Sequence, residues 1–222
     1  MARTFSPEEA RRFYDRIGSW LDSQSFYEDA AISDLIGHAR FGSAEAVFEL
    51  GCGTGRFAET LLREHLSKSA SYRACDLSPK MVSLAGTRLE SFGERARIVL
   101  SSGGAPAAEP ADSCDRFVSN YVLDLLSESD ISAVVSEAQR MLRPGGLLCV
   151  ASLSSGCGRM SRSFMGLWSR LHGLSPQLVG GCRPIDLPTF LESSAWTLLH
   201  HESFSPLGIT SEVVIAECHT SA

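Results

Sequence analysis

The stretch Glu49–Phe57, "ELGCGTGRF", places three glycines at alternate positions directly after the short apolar run Ala46–Leu50, "AVFEL". A buried strand, a glycine turn and a helix bring close main-chain approach to the carboxyl edge of a parallel sheet, where open α/β folds bind ligands. A dinucleotide site of the G-x-G-x-x-G type requires glycine at position 56, where this chain has Arg56. The carboxylate of Glu49 would also sit badly beside a pyrophosphate, because like charges repel more strongly in a partly desolvated site. The loop therefore predicts a nucleotide-type ligand that carries positive charge.

Outward from the loop, strand and helix alternate. Phe57, Leu61, Leu62 and Leu66 mark one helical face, and "YRACD", ending at Asp76, reads as a second strand. Ser78 caps the next helix, with Pro79 in its first turn and Met81, Ala85 and Leu89 below. "RIVL" (Arg97–Leu100) and "DRFVSNYV" (Asp115–Val122) read as strands. A helix carrying Ile131, Val134, Val135, Ala138 and Leu142 then stops at "RPGG", and a buried strand runs from Leu147. Repeated strand-helix-strand units build a parallel sheet with helices on both faces. "WTLLHHESF" and "SEVVIAEC" are joined by too few residues for a crossover helix, so they pair antiparallel. Upstream, "SPEE" (Ser6–Glu9) is a capping-box helix start followed by Phe13, Ile17 and Leu21 at helical spacing, which predicts a helical hairpin ahead of the sheet.

Size and composition narrow the class. The 222 residues suit one domain, 1–222, with a helical cap over 1–43. Hydrophobic content of 44% and charge of 21% are globular, with no internal repeat. The charged N-terminus lacks the apolar core of a signal peptide, and no stretch reaches the roughly 18 apolar residues of a membrane span. The expectation is a cytoplasmic protein without membrane insertion. Seven cysteines stand singly, with no C-x-x-C pair, and read as reduced thiols. His200 and His201 are neighbours, but adjacent strand side chains point to opposite faces, so no metal is expected.

At this point the residues resemble the class I S-adenosylmethionine-dependent methyltransferases, whose first motif is E/D-x-G-x-G-x-G. The likeness runs from Val47 to the C-terminus in the family's order: Asp76 in "ACDLSPKM" ends the second strand, "DSCDRFVSNYVLDLL" leads the fourth, "MLRPGGLLCVASL" matches the fifth, and a reversed final strand follows. Within the family the chain looks most like the small-molecule branch that includes ubiquinone and menaquinone biosynthesis methyltransferases, whose opening is echoed by "YDRIGSWLD". The resemblance implies a Rossmann-like, doubly wound, seven-stranded sheet and methyl transfer from S-adenosyl-L-methionine to a small-molecule acceptor. The residues it places at the cofactor are Tyr14, Glu49, Gly51, Cys52, Gly53, Gly55, Asp76, Leu77, Met81, Ser102, Gly103, Asn120 and Tyr121. By analogy Asp76 clamps the ribose hydroxyls, the amides of Gly51 and Gly53 meet the cofactor's carboxylate, and Tyr14 folds over the ligand; Glu49 either meets the ligand or only holds the glycine turn through loop amides. One departure stands out. The acid that the family usually carries after the third strand is replaced by Ser102, Gly103 and Gly104.

Candidates for chemistry on the acceptor are Tyr121, Asp124 and Tyr27. The turn Asn120-Tyr121-Val122 lacks the prolines of enzymes that methylate nucleobase amines, so nucleic acid is not an expected partner. The segment 154–186 reads as a substrate lid. From Ser154 to Ile185 it holds no acid but Arg159, Arg162, Arg170 and Arg183, leaving −10 on the rest of a chain whose net charge is −6. Phe164, Leu167, Trp168 and Leu171 give it an amphipathic helix. Such a lid suits an anionic or amphipathic acceptor, including a lipid headgroup. The competing readings are a cofactor-binding protein without catalysis and a nicotinamide-dependent dehydrogenase. The acceptor atom and the oligomeric state are open.

Overall fold

The computed structural model describes residues 4–18, 25–106, 108–156 and 159–219. Seven strands form one sheet in the order β3-β2-β1-β4-β5-β7-β6. They are β1 (Ala46–Leu50), β2 (Ser71–Asp76), β3 (Ala96–Leu100), β4 (Cys114–Asn120), β5 (Leu142–Leu153), β6 (Trp196–Phe204) and β7 (Ser211–Cys218). The first five pair parallel, and β7 runs antiparallel to both β5 and β6. The Rossmann-like, doubly wound arrangement expected from the alternating elements is thus present, with the short C-terminal connection producing the reversed strand. The strand order turns back on itself between β1 and β4, and such a switch point opens a crevice at the carboxyl ends of the strands.

Among the described residues six helices surround the sheet: α1 (Pro7–Ile17), α2 (Ser25–His38), α3 (Arg56–Thr60), α4 (Pro79–Leu89), α5 (Glu128–Met141) and α6 (Arg159–Leu174). Their starts are set by the residues the sequence supplies. Ser6 accepts from the Glu9 amide while the Glu9 carboxylate accepts from the Ser6 amide, closing a capping box. Ser78 and Ser127 accept from the amides three residues on. The helix α3 passes into a π-helical turn over Leu61–His65, which no sequence pattern announced.

Alternation along the strands divides the core between two faces. Val213 and Ile215 pack with Val47, Leu61 and Tyr72 beneath α2, α3 and α4, whereas Val214 and Ala216 pack with Phe48, Phe117 and Ile131 beneath α5. The two leading helices do not associate chiefly as the expected hairpin: α1 lies against α4, and α2 lies across β5, β6 and β7. Buried Arg116 fastens the chain between α2 and β1, its guanidinium donating to the carbonyls of Ala39 and Arg40 at 2.7 and 3.0 Å and to the Ser43 hydroxyl. The Asp115 carboxylate accepts from the Glu45 and Ala46 amides and so fixes where β1 begins.

Gly55 shows what the glycine run does for the fold. It has φ +78°, and a Cβ there would lie 3.0 Å from both Cα and Cβ of Ala85 on α4. Replacing Gly55 with Ala combines left-handed strain with a close contact and should destabilise the protein by about 1–3 kcal/mol. Urea unfolding would show this as a lower midpoint at unchanged slope; a midpoint equal to that of the unsubstituted protein would refute it.

Candidate functional site

A cavity of about 820 Å³ opens at the switch point, above the ends of β1, β2 and β4. Of the residues singled out in the sequence, Tyr14, Glu49, Gly51, Cys52, Gly53, Asp76, Leu77, Met81, Gly103, Asn120 and Tyr121 line it. Gly55 and Ser102 are not on its wall, although Thr54, Ser101 and Gly104 are. Asp124 stands behind the wall, fully buried. The side chain of Tyr27 lies outside the described residues.

Two acids sit at the strand ends. Asp76 finishes β2, and its carboxylate accepts from the Gly53 amide at 2.9 Å and from the Ser78 amide at 2.8 Å, joining the loop after β1 to the start of α4. Burial raises the Asp76 pKa above its ordinary 3.8, while the amides of Ser78, Gly53 and Leu77 oppose that shift. Glu49 on β1 is 2% exposed and accepts the Tyr72 hydroxyl at 2.7 Å. Its partner is therefore a tyrosine on β2 rather than the loop amides considered from the sequence. Desolvation drives the Glu49 carboxyl from 4.5 to about 8, with the Tyr72 bond and the nearby Asn120 amide working against it. Asn120 lies near Glu49, yet its Oδ1 and Nδ2 are buried without a hydrogen-bond partner among the described residues. An orphaned amide costs free energy unless something enters the cavity to pair with it.

The glycine amides point elsewhere than the motif alone suggests. Those of Gly51 and Cys52 donate to the Cys75 carbonyl, Gly53 to Asp76, and Gly55 to the Cys52 carbonyl. In this state they hold the loop to β2 rather than facing the cavity. Gly51 serves instead by having no side chain: its φ is +78°, and a Cβ would approach Val122 Cγ2 to 2.3 Å. Across the cavity Tyr121 adopts φ +54°, a left-handed conformation that non-glycine residues rarely hold and that is common at functional sites. Its hydroxyl donates to Ser211 at 2.9 Å.

Neither Tyr14 nor Tyr121 is poised as a base. Burial raises the Tyr121 pKa, and burial with the nearby Cys182, Asp124 and Asp76 raises that of Tyr14, so both stay protonated. Asp124 is pushed up to about 7 by burial. Its Oδ2 accepts from the Leu153 amide, and Oδ1 has no partner among the described residues.

Helix α2 contributes more than the sequence disclosed. Ala31 and Leu35, with Ala39 just past the helix end, are buried against the sheet, while Ile32, Ser33, Ile36 and Gly37 line the cavity. The only signal was the i, i+4 recurrence of small and apolar residues, which marks a helix face but not what it faces. Glu28 and Asp29 also reach the wall, and Asp29 pairs with Arg56 at 3.0 Å.

The segment 154–186 was expected to form a lid, and its described residues stand as follows. Its one contribution to the described cavity wall is Cys182. Arg183 donates to the Leu126 carbonyl, Arg170 is exposed, and the side chains of Arg159 and Arg162 lie outside the described residues. The buried face of α6 is also rotated from the one anticipated. Met165 and His172 are buried and Trp168 half-buried, whereas Phe164, Leu167 and Leu171 are exposed. Polar anchors set this rotation, since Trp168 Nε1 donates to the Cys182 carbonyl and His172 Nε2 bonds the Gly181 carbonyl.

Comparison with known proteins agrees with this geometry. Residues 47–146 match the family model described as a methyltransferase domain. The chain is 28% identical over 173 residues to malonyl-[acyl-carrier protein] O-methyltransferase of Marinomonas sp. (strain MWYL1), an alignment covering 77% of this chain and 61% of that protein's length. Among solved structures, the [4+2]-cyclase SpnF superposes with a TM-score of 0.73 at 14% identity, covering 98% of each chain. The N-methyltransferase NodS from Bradyrhizobium japonicum WM9, in complex with S-adenosyl-L-homocysteine, gives 0.70 at 17% identity, covering 95% of this chain and 97% of its own. At these identities the two structures establish the fold alone.

The burial of Glu49 has a measurable consequence. Its folded value of about 8 exceeds the ordinary 4.5, so across that interval the folded chain holds the extra proton and loses stability as pH rises. Relative to Glu49→Gln, the ligand-free protein should lose up to about 1.4 kcal/mol of unfolding free energy per pH unit within the window. Urea titrations at pH 5, 6, 7 and 8 would read it. A difference that stays constant with pH would show that Glu49 ionises normally.

Proposed function

We propose that this protein, whose residues 47–146 match the methyltransferase domain, binds S-adenosyl-L-methionine in the switch-point cavity and transfers its methyl group to a small-molecule acceptor. The observation that carries the reading is the pair of carboxylates at the ends of adjacent strands, Glu49 and Asp76, with the orphaned Asn120 amide beside Glu49. A ligand with an ammonium group, a sulfonium and a ribose diol supplies what these groups lack. Asp76 accepts from both ribose hydroxyls in this reading, as carboxylates at such strand ends do. Glu49 and Asn120 face the amino-acid end, and the bare backbone of Gly51 gives room beside it. Leu77, Met81, Ser101 and Gly103 supply the adenine wall, with backbone and serine groups replacing the acid that the family usually has there.

When bound, the cofactor supplies a methyl group already activated for in-line displacement by its sulfur. The protein's own work is alignment and exclusion of water, effects worth about 7 to 11 kcal/mol in well-oriented systems. Tyr14 and Tyr121 retain their protons and act as walls and donors, and Asp124 positions the chain around Leu153 from behind. The acceptor accordingly brings its own reactive lone pair. Phe5, Ile32, Ile36, Phe57, Leu125 and Leu126 offer it an apolar enclosure. The charged groups on the wall are mainly acids, Glu28, Asp29, Glu49, Asp76 and Asp130, against Arg56 and His65. We therefore favour an apolar or amphipathic acceptor whose selection does not depend on the arginines of the 154–186 segment.

Two measurements test this reading. Asp76→Ala should weaken S-adenosyl-L-methionine binding about 10- to 100-fold in calorimetric titration, the loss expected for one or two charge-assisted hydrogen bonds. An unchanged dissociation constant would remove Asp76 from the site. Methyl release from radiolabelled cofactor across a panel of amphipathic acceptors would then show turnover. Tight binding with no transfer to any acceptor would instead make the chain a non-catalytic cofactor-binding protein.

A further inference from the structure

We propose that Asp34, His38 and His200 form a binding site for a divalent transition-metal ion of the zinc class, separate from the cofactor cavity. The three residues stand on two elements 166 positions apart. Asp34 and His38 occupy adjacent turns of α2, and His200 comes from the edge strand β6. Asp34 Oδ2 lies 2.6 Å from His200 Nε2, and Oδ1 lies 3.2 Å from His38 Nδ1. One atom from each of the three residues falls within 4.8 Å of the others. Ligands bound at 2.0–2.2 Å in a tetrahedron are about 3.3 Å apart, so small side-chain shifts bring this set to coordination distance.

Three features distinguish the cluster from a surface ion pair. The imidazoles of His38 and His200 are stacked, with centroids 3.8 Å apart and planes at 12°, and His38 Nδ1 and His200 Nε2 both lie against the Asp34 carboxylate. The sheet is also adjusted at this position: Leu198 pairs with Ala216 and His200 with Ile215, leaving Leu199 as the extra residue of a bulge. A bulge re-aims the side chain that follows it, and bulges recur beside functional sites. Finally, the side chains of Asp34 and His200 are 16% and 19% exposed while that of His38 is 51% exposed, which leaves an entry path to otherwise sheltered ligands.

Two histidines and one carboxylate make a hard-to-borderline donor set suited to zinc, nickel or copper rather than calcium or magnesium. Three protein ligands leave a fourth position for water. His38 Nδ1 now lies 2.9 Å from the Asp34 carbonyl. Ligation needs the tautomer with hydrogen on Nε2, which the exposed ring edge permits. The ion would tie α2 to β6, and α2 lines the cofactor cavity with its Ile32, Ser33, Ile36 and Gly37 positions. The site would thus brace one cavity wall from outside.

The test uses the full chain without a histidine tag. Zinc titrated by calorimetry should bind at one ion per chain, and cobalt should give the visible spectrum of a four-coordinate nitrogen-oxygen site. His38→Ala and His200→Ala should each abolish this binding, while His201→Ala should keep it. All three variants should keep the circular dichroism spectrum and the cooperative urea unfolding of the unsubstituted protein, which shows that they fold and keeps this result independent of the cofactor reading. Absence of saturable zinc binding, binding that survives His38→Ala or His200→Ala, or a cobalt spectrum with thiolate charge-transfer bands would each overturn the proposal.

Discussion

The structure depends on one carboxylate placed between two loops. Asp76 ends β2, and by accepting from the amides of Gly53 and Ser78 it fixes both the glycine turn after β1 and the first turn of α4. Each bond joins a charged acceptor to a backbone donor, a class of hydrogen bond about twice as strong as neutral ones. Their geometry is possible because Gly51, Gly53 and Gly55 all take positive φ, so the chain can fold back onto β2 without side chains in the way. The cavity exists because that turn stays short and bare. A carboxylate already held in place is also oriented before any ligand arrives, and such preorganisation lowers the cost of binding.

Much of this was legible in the sequence where local chemistry decides the outcome. Ala46–Leu50, Trp196–Phe204 and Ser211–Cys218 form strands with the anticipated limits, since each is an apolar run bounded by turn residues. The caps at Ser6 and Ser78 were equally readable. Most of the site residues named from the motif line one cavity, because the motif specifies a strand-turn-helix geometry as well as a composition.

What escaped the sequence required knowledge of distant partners. The spacing of Phe164, Leu167, Trp168 and Leu171 indicated a buried face, but two hydrogen bonds from Trp168 and His172 to the carbonyls of Cys182 and Gly181 rotate α6 and leave most of that stripe exposed. The glycine amides were expected to face a ligand, yet their acceptors are Cys75, Asp76 and Cys52. Helix α2 shows the same limit most clearly. Its successive i, i+4 stripes serve the core, the cavity and a cluster with His200, and only the folded sheet assigns each stripe its partner. Adjacent His200 and His201 do diverge as alternation requires, one toward Asp34 and the other toward Glu212.

In the function proposed above, the end of β2 receives the sugar of a sulfonium nucleoside. A crystal structure of the protein with S-adenosyl-L-homocysteine tests it most directly. Both ribose hydroxyls should lie within hydrogen-bonding distance of the Asp76 carboxylate, with the amino-acid end beside Glu49 and Asn120. Ligand density at another location, or a ribose turned away from Asp76, would contradict it.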